Sequence, residues 1–226
     1  MPTMKSQIRS WIAPCLSLVL AVLLPWGQLL AATPVVILDA AGLPLPDAVL
    51  VVPGQSGPAP AGPFIVDQVD LTFVPHVLVI PVGAEVVFPN SDRTRHHVYS
   101  FSAPNQFELK LYRAKDAPPV KFDEPGIVEL GCNIHDEMKG YLFVTRENVF
   151  GVSDAQGKVV FNDLAAGASE VIVWHPAMGT AAPQHYALAP EIRTDIRPVR
   201  PDPAPKSDLR DRLRRFKTQA TEPAGD

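Results

Sequence analysis

The chain has 226 residues, 25 of them proline and 14 glycine, and a formal net charge of −4 at pH 7. So many helix-breaking residues argue against long helices, and a chain of this length is enough for one large or two small domains. The acidic balance argues against general nucleic-acid binding. We therefore expect an all-β protein that has no nucleic-acid partner.

The first 32 residues have the pattern of a secretory signal peptide. Lys5 and Arg9 precede an almost uncharged apolar stretch, and the small residues Ala31 and Ala32 follow it. The apolar core is shorter than the roughly 20 residues that a membrane span needs, and two prolines interrupt it. The pattern therefore predicts an exported, periplasmic protein with no stable membrane span after the signal is cleaved.

Cleavage near residue 32 would remove Cys15 and leave Cys132 as the lone cysteine of the mature chain. Exported proteins meet oxidising conditions, in which an unpaired thiol is a liability. We interpret Cys132 as a thiol that is either buried or functional.

Short runs of alternating apolar residues, separated by turn residues, predict strands along most of the mature chain. These runs lie near residues 35–38, 48–52, 77–79, 86–88, 96–102, 126–132 and 139–145. The segment GVSDAQGKVVFNDLAAGASEVIVWHP then predicts three further strands joined by two turns.

This last segment resembles the second half of the prealbumin-like modules known as carboxypeptidase regulatory-like domains, and residues 35–52 resemble the first half. We therefore predict one small sandwich made of residues 33–61 and 147–198, with a domain of residues 62–146 inserted between its halves. Two consecutive domains are the open alternative. Residues 199–226, which are rich in proline and arginine, are predicted to form a flexible tail.

The segment GCNIHDEMKG places three metal-binding residue types at intervals of three: Cys132, His135 and Met138. Copper that cycles between two oxidation states favours a thiolate and imidazoles in a near-trigonal plane, with a weak thioether contact on the axis. The segment supplies one of each donor. A second imidazole must come from elsewhere, and the segment HHV offers His96 and His97.

Residues 66–145 resemble the cupredoxins, the small blue-copper proteins that include plastocyanin, pseudoazurin and amicyanin. The copper loop of that family reads Cys, two residues, His, a variable gap, Met, a basic residue, Gly and a strand, and CNIHDEMKGYLFV has the same order. HHV also lies eight residues after Phe88, where the family has HNV after a strand-ending aromatic residue. The resemblance implies a Greek-key β-sandwich and one copper ion. The copper ligands that it implies are His96, Cys132, His135 and Met138.

Several side chains near this motif have a second interpretation. Met138 is also an ordinary core residue, and Asp136 or Glu137 could replace it with an oxygen ligand. His97 should point to the opposite face of its strand from His96, so we expect it to pack or to support a ligand. His76 is interpreted as a surface histidine.

Across nearly the whole mature chain, the segments HHVYSFS, FELKLY and GCNIHDEM are similar to periplasmic plastocyanin-like proteins often labelled methylamine utilization proteins. Two features differ from the wider family. The family often has aromatic residues shortly before the cysteine, where this chain has Val128, Glu129, Leu130 and Gly131, and it commonly has proline where this chain has Ile134. These differences concern the packing around the sulfur, which tunes a copper site.

The resemblance implies a one-electron carrier, not an enzyme, that exchanges electrons with a redox partner protein through His135. A copper chaperone or storage module, which uses the same ligands, is one alternative. A structural envelope module with a vestigial metal site is another. One cysteine and two histidines would also suit catalytic zinc, but nothing else in the sequence indicates a hydrolase pocket.

Overall fold

The computed structural model describes residues 32–58, 60–112, 117–162 and 164–199. Nearly all of the predicted signal peptide and of the predicted flexible tail lies outside these residues. Within them, the regular structure consists of strands and one short 3-10 helix, Pro176–Met178. No helix among the described residues is long and apolar enough to cross a membrane. The prediction of an all-β protein is confirmed.

The strands follow one another in short steps, as the spacing of proline and glycine indicates. In chain order they are β1 (Thr33–Leu38), β2 (Val49–Val51), β3 (Phe64–Ile65), β4 (Asp67–Val69), β5 (Thr72–Val74), β6 (Val77–Pro81), β7 (Ala84–Val87), β8 (His96–Ser100), β9 (Phe107–Tyr112), β10 (Val120–Phe122), β11 (Gly126–Gly131), β12 (Lys139–Thr145), β13 (Phe150–Val152), β14 (Lys158–Phe161), β15 (Glu170–Trp174), β16 (Gln184–Ala187) and β17 (Glu191–Arg193).

Strands β3 to β12 form what we call the central sandwich. Its larger sheet has the order β6-β12-β11-β8-β9, its smaller sheet has the order β10-β7-β3, and β4 pairs with β5 as a hairpin. Apolar side chains from all three parts share one core, in which Phe73, Phe88, Phe122 and Leu142 are among the most deeply buried. Alternating buried and partly exposed residues along β8 and β11 agree with the period-two pattern of their sequences.

Strands β1, β2 and β13 to β17 form the flanking sandwich. Its two sheets have the orders β14-β1-β17 and β13-β2-β15-β16, and they enclose a separate apolar core. The strands of residues 33–51 therefore pair with strands that lie beyond residue 149, on the other side of the central sandwich in sequence. The domain boundaries themselves stay a prediction.

The two sandwiches share a third apolar cluster. Its buried members are Val49, Val51, Val77, Val79, Tyr141, Phe143 and Trp174. Strand β12 is consequently buried on both faces: Leu142 and Val144 face the central core, whereas Tyr141 and Phe143 lie in the shared cluster. Because β12 begins at Lys139, directly after Met138, this doubly covered strand fixes one end of the loop that carries the metal-binding motif.

Candidate metal centre

The loop between β11 and β12 presents the residues of the motif on one side. It is closed at its base by the antiparallel pair Gly131 and Lys139. Two successive turns follow, in which the His135 N–H donates to the Cys132 carbonyl (3.4 Å) and the Met138 N–H donates to the His135 carbonyl (2.9 Å). Since such turns bring residues three apart onto the same side, the spacing of the motif places its thiol, imidazole and thioether together.

His96 reaches the same place from the neighbouring strand. It begins β8, which pairs with β11 in antiparallel register, with Tyr99 opposite Gly131. The His96 side chain is fully buried, and its Nδ1 lies 3.7 Å from the Cys132 Sγ. The Nδ1 of His135 lies 3.6 Å from the same sulfur. The three donor atoms lie within 4.8 Å of one another. In the described ranges, no other group of three or more His, Cys, Asp or Glu side chains brings its donor atoms this close together.

These separations fit coordination of one ion. A metal about 2.3 Å from a thiolate sulfur and about 2.0 Å from an imidazole nitrogen, with bonds roughly 110 to 120° apart, requires a sulfur-to-nitrogen distance of about 3.5 to 3.7 Å. The observed distances are 3.6 and 3.7 Å. One thiolate with two imidazoles is a donor set that suits a borderline-soft ion such as copper or zinc. The residues present therefore fit a copper ion.

Met138 lies in the same apolar core as Cys132, with an exposed fraction of 1 %. Both residues line a cavity of about 420 Å³. The alternative oxygen ligands are Asp136 and Glu137. Asp136 also lines this cavity, but both residues are exposed. Burial beside the thiol therefore favours the thioether over either carboxylate as the axial donor, and the complete ligand set stays a prediction.

The two other histidines considered from the sequence lie outside this group. His97 projects from the opposite face of β8, where its Nε2 lies 3.0 Å from the Glu108 carboxylate. His76 is exposed, and its Nδ1 lies 2.8 Å from the Asp47 carboxylate. Neither imidazole faces Cys132, so the structure joins one member of the double histidine to the thiol and directs the other away.

Asp92 is a site residue that the sequence did not reveal. Its Oδ2 lies 2.8 Å from the Nε2 of His96, and its carboxylate accepts hydrogen bonds from the backbone N–H groups of Asp70 (2.7 Å) and Leu71 (3.1 Å). Burial acts to raise the pKa of Asp92, but the hydrogen bonds from Leu71, His96 and Asp70 outweigh it and lower that pKa below its usual value. Asp92 therefore links His96 to the turn between β4 and β5 by hydrogen bonds.

An aromatic ring stands beside the cysteine despite the glycine that precedes it. A Cβ atom added to Gly131 would lie 2.8 Å from the Cζ of Tyr99, so the ring occupies the space that a side chain at Gly131 would need. Tyr99 also lines the cavity that reaches Cys132 and Met138. The sequence has no aromatic residue just before the cysteine, and Tyr99 of β8 places an aromatic ring there instead.

Comparisons with known proteins cover part of the chain. No protein-family model matches it, and no curated protein matches it. Among solved structures, a reduced Cu(I) form of an amicyanin variant is 21% identical, covers 42% of this chain and 98% of its own, and has a TM-score of 0.35. A purple cupredoxin from Nitrosopumilus maritimus is 23% identical, covers 36% of this chain and 96% of its own, and has a TM-score of 0.32. A copper-containing nitrite reductase from Thermus scotoductus SA-01 is 28% identical, covers 48% of this chain and 28% of its own, and has a TM-score of 0.36.

Proposed function

We propose that the protein binds one copper ion through His96, Cys132 and His135, with Met138 as the axial ligand, and acts as a one-electron carrier in the periplasm. The observation that carries the proposal is the approach of two imidazole nitrogens, at 3.6 and 3.7 Å, to the free thiol of Cys132. When bound, copper would supply a centre that takes up and gives back a single electron.

The chain's own contribution is to hold the donor atoms in place. Cys132 directly follows β11 and His96 begins the neighbouring β8, and both are buried, with exposed fractions of 3 % and 0 %. His135 is held by the turn that joins it to Cys132 and by the next turn, which joins it to Met138. Donors fixed in this way need little movement when the charge at the site changes, and small rearrangement favours rapid electron exchange.

His135 is the one proposed ligand that is not fully buried. The adjacent Ile134 is 49 % exposed, so the imidazole opens onto a partly apolar surface. We therefore propose that electrons enter and leave at His135, and that the unidentified redox partner protein docks there.

The metal assignment is tested by adding Cu(II) to the purified protein and recording visible and electron-spin-resonance spectra. A copper–thiolate bond should produce intense visible absorption, which Cys132→Ala should abolish and His96→Ala should strongly alter. His97→Ala is the matched control, because it removes the adjacent imidazole, which faces Glu108, and should leave both spectra unchanged. Retention of the full spectrum in Cys132→Ala and His96→Ala would show that the ligand assignment is wrong.

The carrier role is tested separately, by voltammetry of the copper-loaded protein. An electron carrier should show a reversible one-electron couple and fast electron exchange between its oxidised and reduced forms. A protein that delivers copper should instead bind Cu(I) in preference and release it to a competing chelator without a reversible couple. The second result would overturn the carrier role and leave the copper site intact.

A further inference from the structure

We propose that Asp92 is a positioning residue for His96, and that the β4–β5 hairpin holds Asp92 in its place. This inference rests on the metal binding proposed above and adds to that site a residue that touches no metal. It connects a ligand on β8 with a turn more than twenty residues earlier in the chain.

Each ring nitrogen of His96 faces a different partner. One ring nitrogen, Nδ1, faces the Cys132 sulfur at 3.7 Å, and the other, Nε2, faces the Asp92 carboxylate at 2.8 Å. The two Asp92 carboxylate oxygens already accept hydrogen bonds from the backbone N–H groups of Asp70 and Leu71, so Asp92 acts as an acceptor and the His96 Nε2–H as the donor to it. Nδ1 then keeps its lone pair directed toward the sulfur, which is the tautomer that a metal ligand needs. Histidine ligands commonly donate their second N–H to a carboxylate in this way.

Asp92 is itself held by hydrogen bonds from the β4–β5 hairpin. The turn between β4 and β5 has left-handed backbone at two successive residues, Asp70 (φ 50) and Leu71 (φ 61). Positive φ at both central positions is typical of the two-residue hairpin turn, yet it is unfavourable for a leucine. Both N–H groups of this turn donate to the Asp92 carboxylate. The turn and the carboxylate therefore stabilise each other, and Asp92 cannot rotate away without breaking both hydrogen bonds.

The same hairpin also contacts β12, just after the loop that carries Cys132, His135 and Met138. Phe73 in β5 is 2 % exposed and packs on Gly140, where an added Cβ would lie 2.8 Å from the Phe73 Cβ. Gly140 is the second residue after Met138. The hairpin thus contacts both ligand-bearing segments. Its turn binds Asp92, which precedes His96, and its Phe73 packs on Gly140, which follows Met138.

The orientation of His96 is tested first in the metal-free protein, by nitrogen NMR of the imidazole at a pH where the ring is neutral. The unaltered protein should show one tautomer, with the proton on Nε2, and Asp92→Ala should show a mixture. Asp67→Ala is the matched control. It removes a carboxylate of the same hairpin that binds Ser91 and touches no histidine, so the single tautomer should persist.

The consequence for the metal is measured as the affinity for Cu(I), by competition with a chelator. Asp92→Ala should weaken binding by about 10- to 100-fold, the usual effect of losing a partner of a metal-bound histidine. Asp92→Asn keeps the size of the side chain and one acceptor oxygen, so it should lose less. Asp67→Ala should bind as the unaltered protein does. Unchanged affinity and tautomer in Asp92→Ala, or an equal loss in Asp67→Ala, would overturn the proposal.

The two proposals fail in different ways. If the unaltered protein binds no Cu(I), the proposed function is wrong, while the tautomer comparison, made without metal, still decides the role of Asp92. Circular dichroism and thermal unfolding of each metal-free variant report whether it folds. Should Asp92→Ala not fold, Asp92→Asn decides: its amide accommodates either tautomer, so a second tautomer supports the proposal and an unchanged single tautomer overturns it.

Discussion

Trp174 lies at the junction of the two sandwiches, and we predict that Trp174→Ala destabilises the whole protein. The side chain is fully buried. Its ring centroid lies 5.4 Å from that of Tyr141 and 6.0 Å from that of Phe143, and both partners belong to β12 of the central sandwich. The indole Nε1 donates a hydrogen bond of 2.9 Å to the Gly179 carbonyl. Truncation therefore removes packing in both sandwiches and one hydrogen bond.

The expected size follows from these contacts. Removing a buried Trp or Phe side chain costs about 3 to 5 kcal/mol. Aromatic pairs contribute about 0.5 to 1.5 kcal/mol beyond their buried area, and the lost hydrogen bond adds about 1 kcal/mol. We expect a loss near the upper end of the first range, about 4 to 5 kcal/mol. Since a folded domain is stable by about 5 to 15 kcal/mol, this is a large fraction of the total.

The assay is urea unfolding of the metal-free protein, followed by far-ultraviolet circular dichroism. Trp174→Phe is the matched control, since it keeps an aromatic ring against Tyr141 and Phe143 and lacks the N–H donor. It should lose about 1 to 3 kcal/mol, because part of the packing and the hydrogen bond are missing. A loss below about 1 kcal/mol in Trp174→Ala would refute the reasoning, because removing a side chain packed between the two sandwiches should cost more free energy of unfolding than that.

Three further predictions concern the central sandwich. Met138→Leu conserves volume and should cost less than about 1.5 kcal/mol in urea unfolding, while voltammetry of the copper form should show a changed potential; an unchanged potential would leave Met138 a core residue only. Gly140→Ala forces a Cβ to within 2.8 Å of the Phe73 Cβ and should cost about 1 to 3 kcal/mol, whereas no loss of thermal stability would contradict that close packing. Burial raises the pKa of Tyr112 to about 12, from about 10 in the unfolded chain. Its contribution to stability is therefore present below pH 10 and lost as the pH rises toward 12, so the urea midpoint should fall over this range, and the fall should be smaller in Tyr112→Phe.

Local sequence patterns predict the strands of this protein well and their partners poorly. The alternation in HHVYSFS indicates a strand with one buried face, and β8 has that pattern of burial. The segment KGYLFVT is apolar almost throughout, which predicts a strand covered on both sides. What covers the second face of β12 depends on Trp174 and on β2, which lie far from it in sequence. Periodicity carries no information about such distant partners.

The sequence likewise predicts only part of the candidate metal centre. The spacing of Cys132, His135 and Met138 is a local feature, and consecutive turns convert it into proximity. Strand alternation indicates that only one of His96 and His97 can face the site, and the resemblance to the cupredoxins, through the spacing from Phe88, selects His96. The role of Asp92 could not be predicted, because it depends on the left-handed turn at Asp70 and Leu71, whose sequence contains no glycine to indicate positive φ. The one available signal was an acidic residue four positions before a histidine, which is common and unspecific.

The position of β12 gives the flanking sandwich a part in the metal centre. This strand begins directly after Met138, and its central-core side chains, Leu142 and Val144, support the sheet that carries the ligands. Its other side chains, Tyr141 and Phe143, are covered by the flanking sandwich through Trp174. Without that cover, two aromatic residues on a central strand would face water, and the strand would lose the burial that holds it. The flanking sandwich therefore stabilises the base of the loop that carries the proposed ligands.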